Sequence, residues 1–250
     1  MCILAWHWQP GAATELLLVA NRDEFHQRPA RALQVWQGQP ILAGQDAQAG
    51  GTWLGLARGR RLAALTNYRS GLAVRPDAPS RGQLVQGFLA SQPRAHDYLR
   101  QLVPHCADYN PFNLLVWDGE QLLGLESRHA RIVAMVPGMG GVSNADFHTP
   151  WPKLARLQHG LAQALASGHS DDDHLLALLA DPTQAPAHAL PDTGVGPARE
   201  QWLSSIFIRS PLYGTRASSV VRVQGTSAGF TEQGFGADGP LARHTVPWVF

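Results

Sequence analysis

This sequence of 250 residues predicts an α+β fold, two antiparallel sheets packed face to face with helices outside them. Three observations carry that expectation. Strand-like runs come first, helical runs follow, and strand-like runs return near the end. A hydrophobic content of 44% in a chain of this length can bury a substantial core, and no composition break divides it, so residues 1–250 read as one domain. No internal repeat suggests a solenoid or array.

The N-terminal third reads as strands at residues 2 to 8, 15 to 21, Gly51–Ala57 and Leu62–Tyr68, separated by Gly, Pro or Arg-Gly turns. Alternation in the first strand puts Cys2, Leu4, Trp6 and Trp8 on one face and Ile3, Ala5 and His7 on the other. Arg58-Gly59-Arg60-Arg61 reads as a solvated hairpin turn. A helix is expected from Ser80, where Ser80 and Gln83 have capping-box spacing, and a second at 94 to 103. Asn113–Trp117, Leu122–Glu126 and Ile132–Val136 are short apolar strands, with Gly138-Met139-Gly140-Gly141 as a turn. Thr149-Pro150 predicts the start of a helix with Leu154, Leu157, Leu161 and Leu165 on one stripe, closed by Gly168. Ser170 is the expected cap of the next helix, with Asp171, Asp172 and Asp173 in its first turn where the macrodipole favours acids. Four prolines between 181 and 200 predict a long loop, and strands at Ser205–Arg209, Ala217–Val223 and near the C-terminus close the chain.

Composition excludes several functions. Net charge is +1 with 16% charged residues, and the four-residue arginine cluster is too short for a nucleic-acid footprint. Of 20 basic residues only Lys153 is lysine, so Schiff-base chemistry would hang on one side chain. The first apolar stretch contains His7 and lacks the charged flank and cleavage site of a secretory signal, and no run approaches the roughly 20 residues of a membrane span. With only Cys2 and Cys106, a reducing, cytoplasmic setting without disulfides is the expectation. Asp171-Asp172-Asp173-His174 reads as a helix start rather than a metal site, and the histidines show no paired ligand spacing, so no metal is expected.

The residues that carry chemistry are Cys2 and the run Asn21-Arg22-Asp23-Glu24. Removal of Met1 would give one residue both a thiol and a free α-amine, a nucleophile and its base together. The same residues have plainer readings: Cys2 as the small first residue of an edge strand, and the acidic and basic side chains as a turn-capping cluster. Asn67 and Asn144 equally suit turns, and Arg216 a surface charge.

Met1-Cys2-Ile3, Ala20 to Phe25 with Arg28-Pro29, Gly50 to Gly55, Leu65 to Tyr68, Gly141 to Asn144, Thr149-Pro150-Trp151 and Tyr213 to Arg216 together resemble the Asn-Arg-Asp-Glu family, also called the Transport and Golgi organization protein 2 family. The resemblance implies a four-layer αββα sandwich like that of N-terminal nucleophile hydrolases, including bile-salt hydrolase and penicillin acylase relatives. It also implies catalytic roles for Cys2, Asp23, Asn67, Asn144 and Arg216. Asp23 would orient the Cys2 amine, and Asn67 would donate to the oxyanion, a contribution of roughly 3–4 kcal/mol in comparable sites. Arg216 would hold the thiolate or a substrate carboxylate. Substrate contacts are expected from Asn21, Arg22, Trp6, Trp53 and Tyr68. One departure stands out: where the bile-salt hydrolase pattern has arginine before the asparagine, this chain has Ala20, and Arg22 lies about 7 Å further along the strand.

Two functions follow. One is an N-terminal cysteine hydrolase or acyltransferase acting on a small amide or acyl substrate through Cys2, without a cofactor. The other is a non-catalytic protein that binds and traffics haem, acyl-CoA or lipid in the same pocket, with His7, His26, His105 or His148 as candidate axial ligands. The partner is a small molecule in either case, with neither nucleic acid nor stable membrane insertion expected. The oligomeric state stays open.

Overall fold

In the structure, a computed structural model that describes residues 2–71 and 73–250, two antiparallel sheets stack with helices on their outer faces. The first sheet comprises β1 (Cys2–Trp8), β2 (Leu16–Phe25), β10 (Gly138–Val142), β11 (Tyr213–Gln224), β12 (Ser227–Gly236) and β13 (Gly239–Val249), in the order β10-β1-β2-β11-β12-β13. The second is a meander of β3 (Ala30–Val35), β4 (Ile41–Asp46), β5 (Leu54–Ala57), β6 (Arg61–Asn67), β7 (Phe112–Trp117), β8 (Leu122–Glu126) and β9 (Arg131–Ala134). The α+β class and its two-sheet architecture are those the sequence predicts.

Alternation decides which side chain enters which layer. Leu4, Trp6 and Trp8 meet Leu54, Leu62 and Trp117 between the sheets, while Ile3 and Ala5 point outward onto Leu154, Leu157 and Leu161 of α3 (Pro152–Ser167). On the far side, Val85, Phe88 and Leu89 of α1 (Gly82–Ala90), together with Ala95 and Leu99 of α2 (Ala95–Leu102), cover Leu65, Leu114 and Val116.

Several expectations change. Arg61 is buried, its Nε donating to Phe88 O at 3.0 Å and its guanidinium lying 3.8 Å over the Phe88 ring, so the Arg58–Arg61 run is only partly a solvated turn. The Ser80–Gln83 capping box does not form: Arg81 is the N-cap, and Ser80 contributes only its carbonyl, to Gln83 N. Helix α3 begins at Pro152 instead of Pro150, and Gly168 ends it at φ 75°, as expected of a left-handed cap. Asp171, not Ser170, caps α4 (Asp172–Leu179), accepting from His174 N at 3.0 Å. The loop from 181 to 200 contains a 3-10 turn at Ala187–Ala189 and the start of α5 (Pro197–Trp202). Ser205–Arg209 is not a strand. Phe207 N donates to Asp181 O, and Ile208 N to Thr215 Oγ1, isolated bonds that pin the segment without a ladder.

The Gly138–Gly141 run is likewise no turn but most of β10, paired with β1 through Trp6↔Gly140 and Leu4↔Val142. Its glycines make room for Trp6, since a Cβ on Gly140 would lie 2.4 Å from Trp6 Cε2. Gly140→Ala should therefore overpack the inter-sheet core and destabilise the protein by about 1–3 kcal/mol, read as a lower midpoint in chemical denaturation with an unchanged slope.

Candidate active-site cavity

The pairing of β1 with β2 sets the geometry. Cys2 lies opposite Arg22 and Ile3 opposite Asn21, so Cys2 and Arg22 share the inter-sheet face while Asn21 turns toward the helices. Strand β2 continues past the start of β1 because β11 still pairs with it, through Thr215↔Asp23 and Tyr213↔Phe25. Arg216 is the extra residue of a bulge between Thr215 and Ala217, which turns its side chain into the same region. A cavity of about 630 Å³ opens there, with Cys2, Arg22, Asp23, Trp53, Asn67 and Arg216 among its walls.

Cys2 is 6% exposed. Burial pushes its thiol up and the Asp23 carboxylate adds to the rise, while Arg22 and a backbone contact with Asp23 oppose it. Arg22 reaches Asp46 Oδ2 at 3.5 Å and Glu24 Oε2 at 4.0 Å, and Arg28 Nε meets the same Asp46 oxygen at 2.7 Å. Burial alone would raise the Asp46 carboxyl, yet bonds from Arg28 and from Ala49 N–H hold it below the usual carboxylate range. Arg216 staples the β2 turn: its Nη1 donates to the carbonyls of Phe25, His26 and Arg28 at 2.8, 2.9 and 3.2 Å, and its Nε donates to Phe235 O at 3.1 Å.

A second polar group runs inward from Asp23 on the cavity wall to Asn144, and the sequence reading missed the site roles of its Thr215, Lys153, Arg69 and Glu200. Asp23 Oδ1 accepts from Thr215 Oγ1 at 2.8 Å. Lys153, only 1% exposed, donates to Asn144 Oδ1 at 3.4 Å. Arg69 pairs with Glu200 at 2.5 Å and stacks on Trp151 at 4.8 Å. Asn144 is the hub: its Nδ2 donates to Asn67 O at 2.9 Å, its Oδ1 also takes bonds from Ser143 and Arg69, and its carbonyl accepts from Arg69 N at 2.7 Å. Ser143 Oγ also lies 3.4 Å from Cys2 O, so its one proton is shared between that carbonyl and Asn144 Oδ1. Two cations, Lys153 and Arg69, thus balance two carboxylates, Asp23 and Glu200, in a buried region. Desolvation lowers the Lys153 ammonium to about 8, and burial raises the Asp23 carboxyl against the pull of Lys153, Thr215 and Arg69.

Four expected site residues lie elsewhere. Asn144 stands behind Asn67 rather than on the cavity wall. Asn21 holds the helical layer, donating to Leu179 O and Ile206 O and accepting from Ser218 Oγ at 2.6 Å. Trp6 is fully buried among Gly140, Phe147 and His148. Tyr68 lies beneath the Arg128 guanidinium, 5.2 Å from its ring centre, and does not line the cavity. None of His7, His26, His105 and His148 lines it either; His244 does. The signal for Lys153 was its uniqueness in the sequence, and for Thr215 its place beside Arg216 in a recognised block.

The family model described as Transport and Golgi organisation 2 matches residues 1–235. The chain belongs to this family. The bovine (Bos taurus) Transport and Golgi organization protein 2 homolog is 33% identical over 273 residues, covering 100% of this chain and 99% of the relative. The Drosophila melanogaster Transport and Golgi organization protein 2 is 27% identical over 242 residues, covering 86% and 83%. Among solved structures, a mutant of the conjugated bile acid hydrolase from Clostridium perfringens superposes with a TM-score of 0.56 at 8% identity, covering 98% of this chain and 92% of that one. Penicillin V acylase from Agrobacterium tumefaciens gives 0.50 at 11% identity, covering 100% and 86%. This member of the Transport and Golgi organisation 2 family therefore has an N-terminal nucleophile hydrolase-like fold. Among the described residues no helix is long and apolar enough to cross a membrane.

The buried lysine generates a pH signature. Its folded value of about 8 lies below the ordinary 10.5, so between those limits the unfolded chain binds more protons and stability rises with pH. Below about 8 the cost of burying the charge stands in full. Lys153→Met removes it, so the stability difference between wild type and variant should move toward the wild type as pH is raised from about 8 to 10.5, measured by urea unfolding.

Proposed function

We propose that this protein is an N-terminal cysteine hydrolase or acyltransferase acting on a small amide or acyl substrate. The observation that carries this reading is the convergence of Cys2, Asp23 and Asn67, from β1, β2 and the end of β6, on one cavity. After removal of Met1, the Cys2 α-amine lies where the chain enters β1, beside Asp23, which is one residue beyond the Cys2↔Arg22 pair. The amine takes the thiol proton, and the sulfur attacks the substrate carbonyl carbon. Asn67 donates its side-chain amide to the oxyanion while Asn144 fixes the Asn67 carbonyl behind it. Collapse breaks the bond to the leaving group, which departs with the proton now held by the amine. Water, or an acceptor alcohol or amine in the transferase case, then resolves the thioester.

Burial of the thiol supports a need for the free amine. Desolvation works against spontaneous ionisation of Cys2, so a protein that kept Met1 would have a poorly activated sulfur. That state fits the second reading, a carrier that binds haem, acyl-CoA or lipid without chemistry; His244 is the histidine on the cavity wall that could meet haem iron.

The enzyme reading predicts an intact mass lacking one methionine and turnover of some member of an acyl-amide library that Cys2→Ser abolishes. Unchanged turnover in Cys2→Ser would remove it. For a substrate found in this way, Asn67→Ala should lower kcat by about 10²–10³ with a smaller effect on KM, the pattern of an interaction made in the transition state.

A further inference from the structure

The cavity holds more cationic charge than its own carboxylates neutralise. Glu24 and Asp46 are matched by Arg22 and Arg28. Asp23 belongs to the balanced cluster with Lys153 and Arg69. Glu232 is 5% exposed, accepts Leu33 N–H at 2.8 Å, and is pushed toward its neutral form by burial. Of the other guanidinium groups on the wall, that of Arg31 stands on the exposed face of β3, and three bond to carbonyls. Arg75 Nη2 donates to Ala107 O and Tyr109 O at 2.9 and 2.7 Å, Arg81 Nη1 donates to Pro111 O at 3.2 Å, and Arg216 is held by four carbonyls. Among the described residues, none of these three has a carboxylate within ion-pair distance. A carbonyl satisfies an N–H donor but leaves the net charge uncompensated, and a half-buried site screens that charge less than open water does.

Arg81 is the most consequential of the three. It stands at the N-cap of α1, and its charge interacts with both Cys2 and Glu24. Arg216 is immobilised by its four carbonyls, whereas a single bond, from Nη1, holds the Arg81 guanidinium on the cavity wall and leaves Nη2 and Nε without a carbonyl. Its planar fork suits a carboxylate or phosphate, both of which accept two parallel bonds.

We propose that the Cys2 cavity selects substrates carrying an anionic group, carboxylate or phosphate, and that Arg81 is the residue that reads it. This deepens the reading of the cavity as a substrate site, and its test is kept separate from turnover. Full-length Cys2→Ser protein, in which the thiol chemistry is removed, is titrated calorimetrically with decanoate, decyl phosphate and neutral decanamide. At least one anion should bind about tenfold or more tightly than decanamide, and which of the two does so separates carboxylate from phosphate. Arg81→Met in the same background should abolish the preference, leave decanamide unchanged and weaken the salt dependence of anion binding, while Arg81→Lys should keep part of it. Should Arg81→Met fail to fold, Arg81→Lys and the salt dependence of the parent decide. Equal binding of anion and amide, a preference that survives Arg81→Met, or no binding of any probe would overturn the proposal. A preference found in a protein whose Cys2 proves dispensable for turnover would support the anion site while removing the hydrolase reading.

Discussion

The register of β1 on β2 is the constraint on which the rest of this structure depends. Cys2 faces Arg22 across that pair, and the side-chain period of a strand is two, so a slip of one residue would send the thiol to the helical face and Ile3 into the cavity. Trp6 resists the slip. It is fully buried between the sheets and lies over Gly140, where a side chain as small as a methyl group would collide with it. The large aromatic and the bare backbone of β10 thus hold the small first residue of β1 in place.

The charges near Cys2 fall into two groups with different physics. Asp23, Lys153, Arg69 and Glu200 form a balanced set that runs inward from Asp23 on the wall, fixed through Asn144 and Thr215. Such sets confer little net stability because desolvation offsets attraction, but removing one member leaves a buried charge unmatched. The cavity wall is different: Arg22 and Arg28 are matched, while Arg75, Arg81 and Arg216 rest on carbonyls. One group orders the neighbourhood of Cys2 and the other sets the field inside the cavity. The absence of an arginine at Ala20 is consistent with this division, since cations reach the cavity from β2, α1 and β11 instead.

Much of the fold was legible because hydrophobic alternation is a local property. The two faces of β1 and the Leu154, Leu157 and Leu161 stripe of α3 can each be read from neighbouring residues, and both occur in the structure. Strands β3 and β10 were not legible. Five of the six residues of β3 are exposed, and β10 is glycine-rich because of a tryptophan more than a hundred positions away. The helix caps expected at Ser80, Thr149 and Ser170 were each misplaced by one or two residues, since neighbouring residues offered competing caps.

For the site, the sequence alone determined which residue types were available: a thiol at position 2, the Asn21 to Glu24 run, Asn67, Arg216 and a single lysine. Tertiary structure decided their uses. Strand pairing sent Asn21 to the helices and Arg22 to the cavity, a bulge swung Arg216 onto carbonyls, and the packing of α3 on the first sheet buried Lys153 beside Asn144. The physical reason is that residue identity fixes what a group can donate, accept or titrate, whereas its exposure, partners and charge balance arise only from segments brought together across the whole chain.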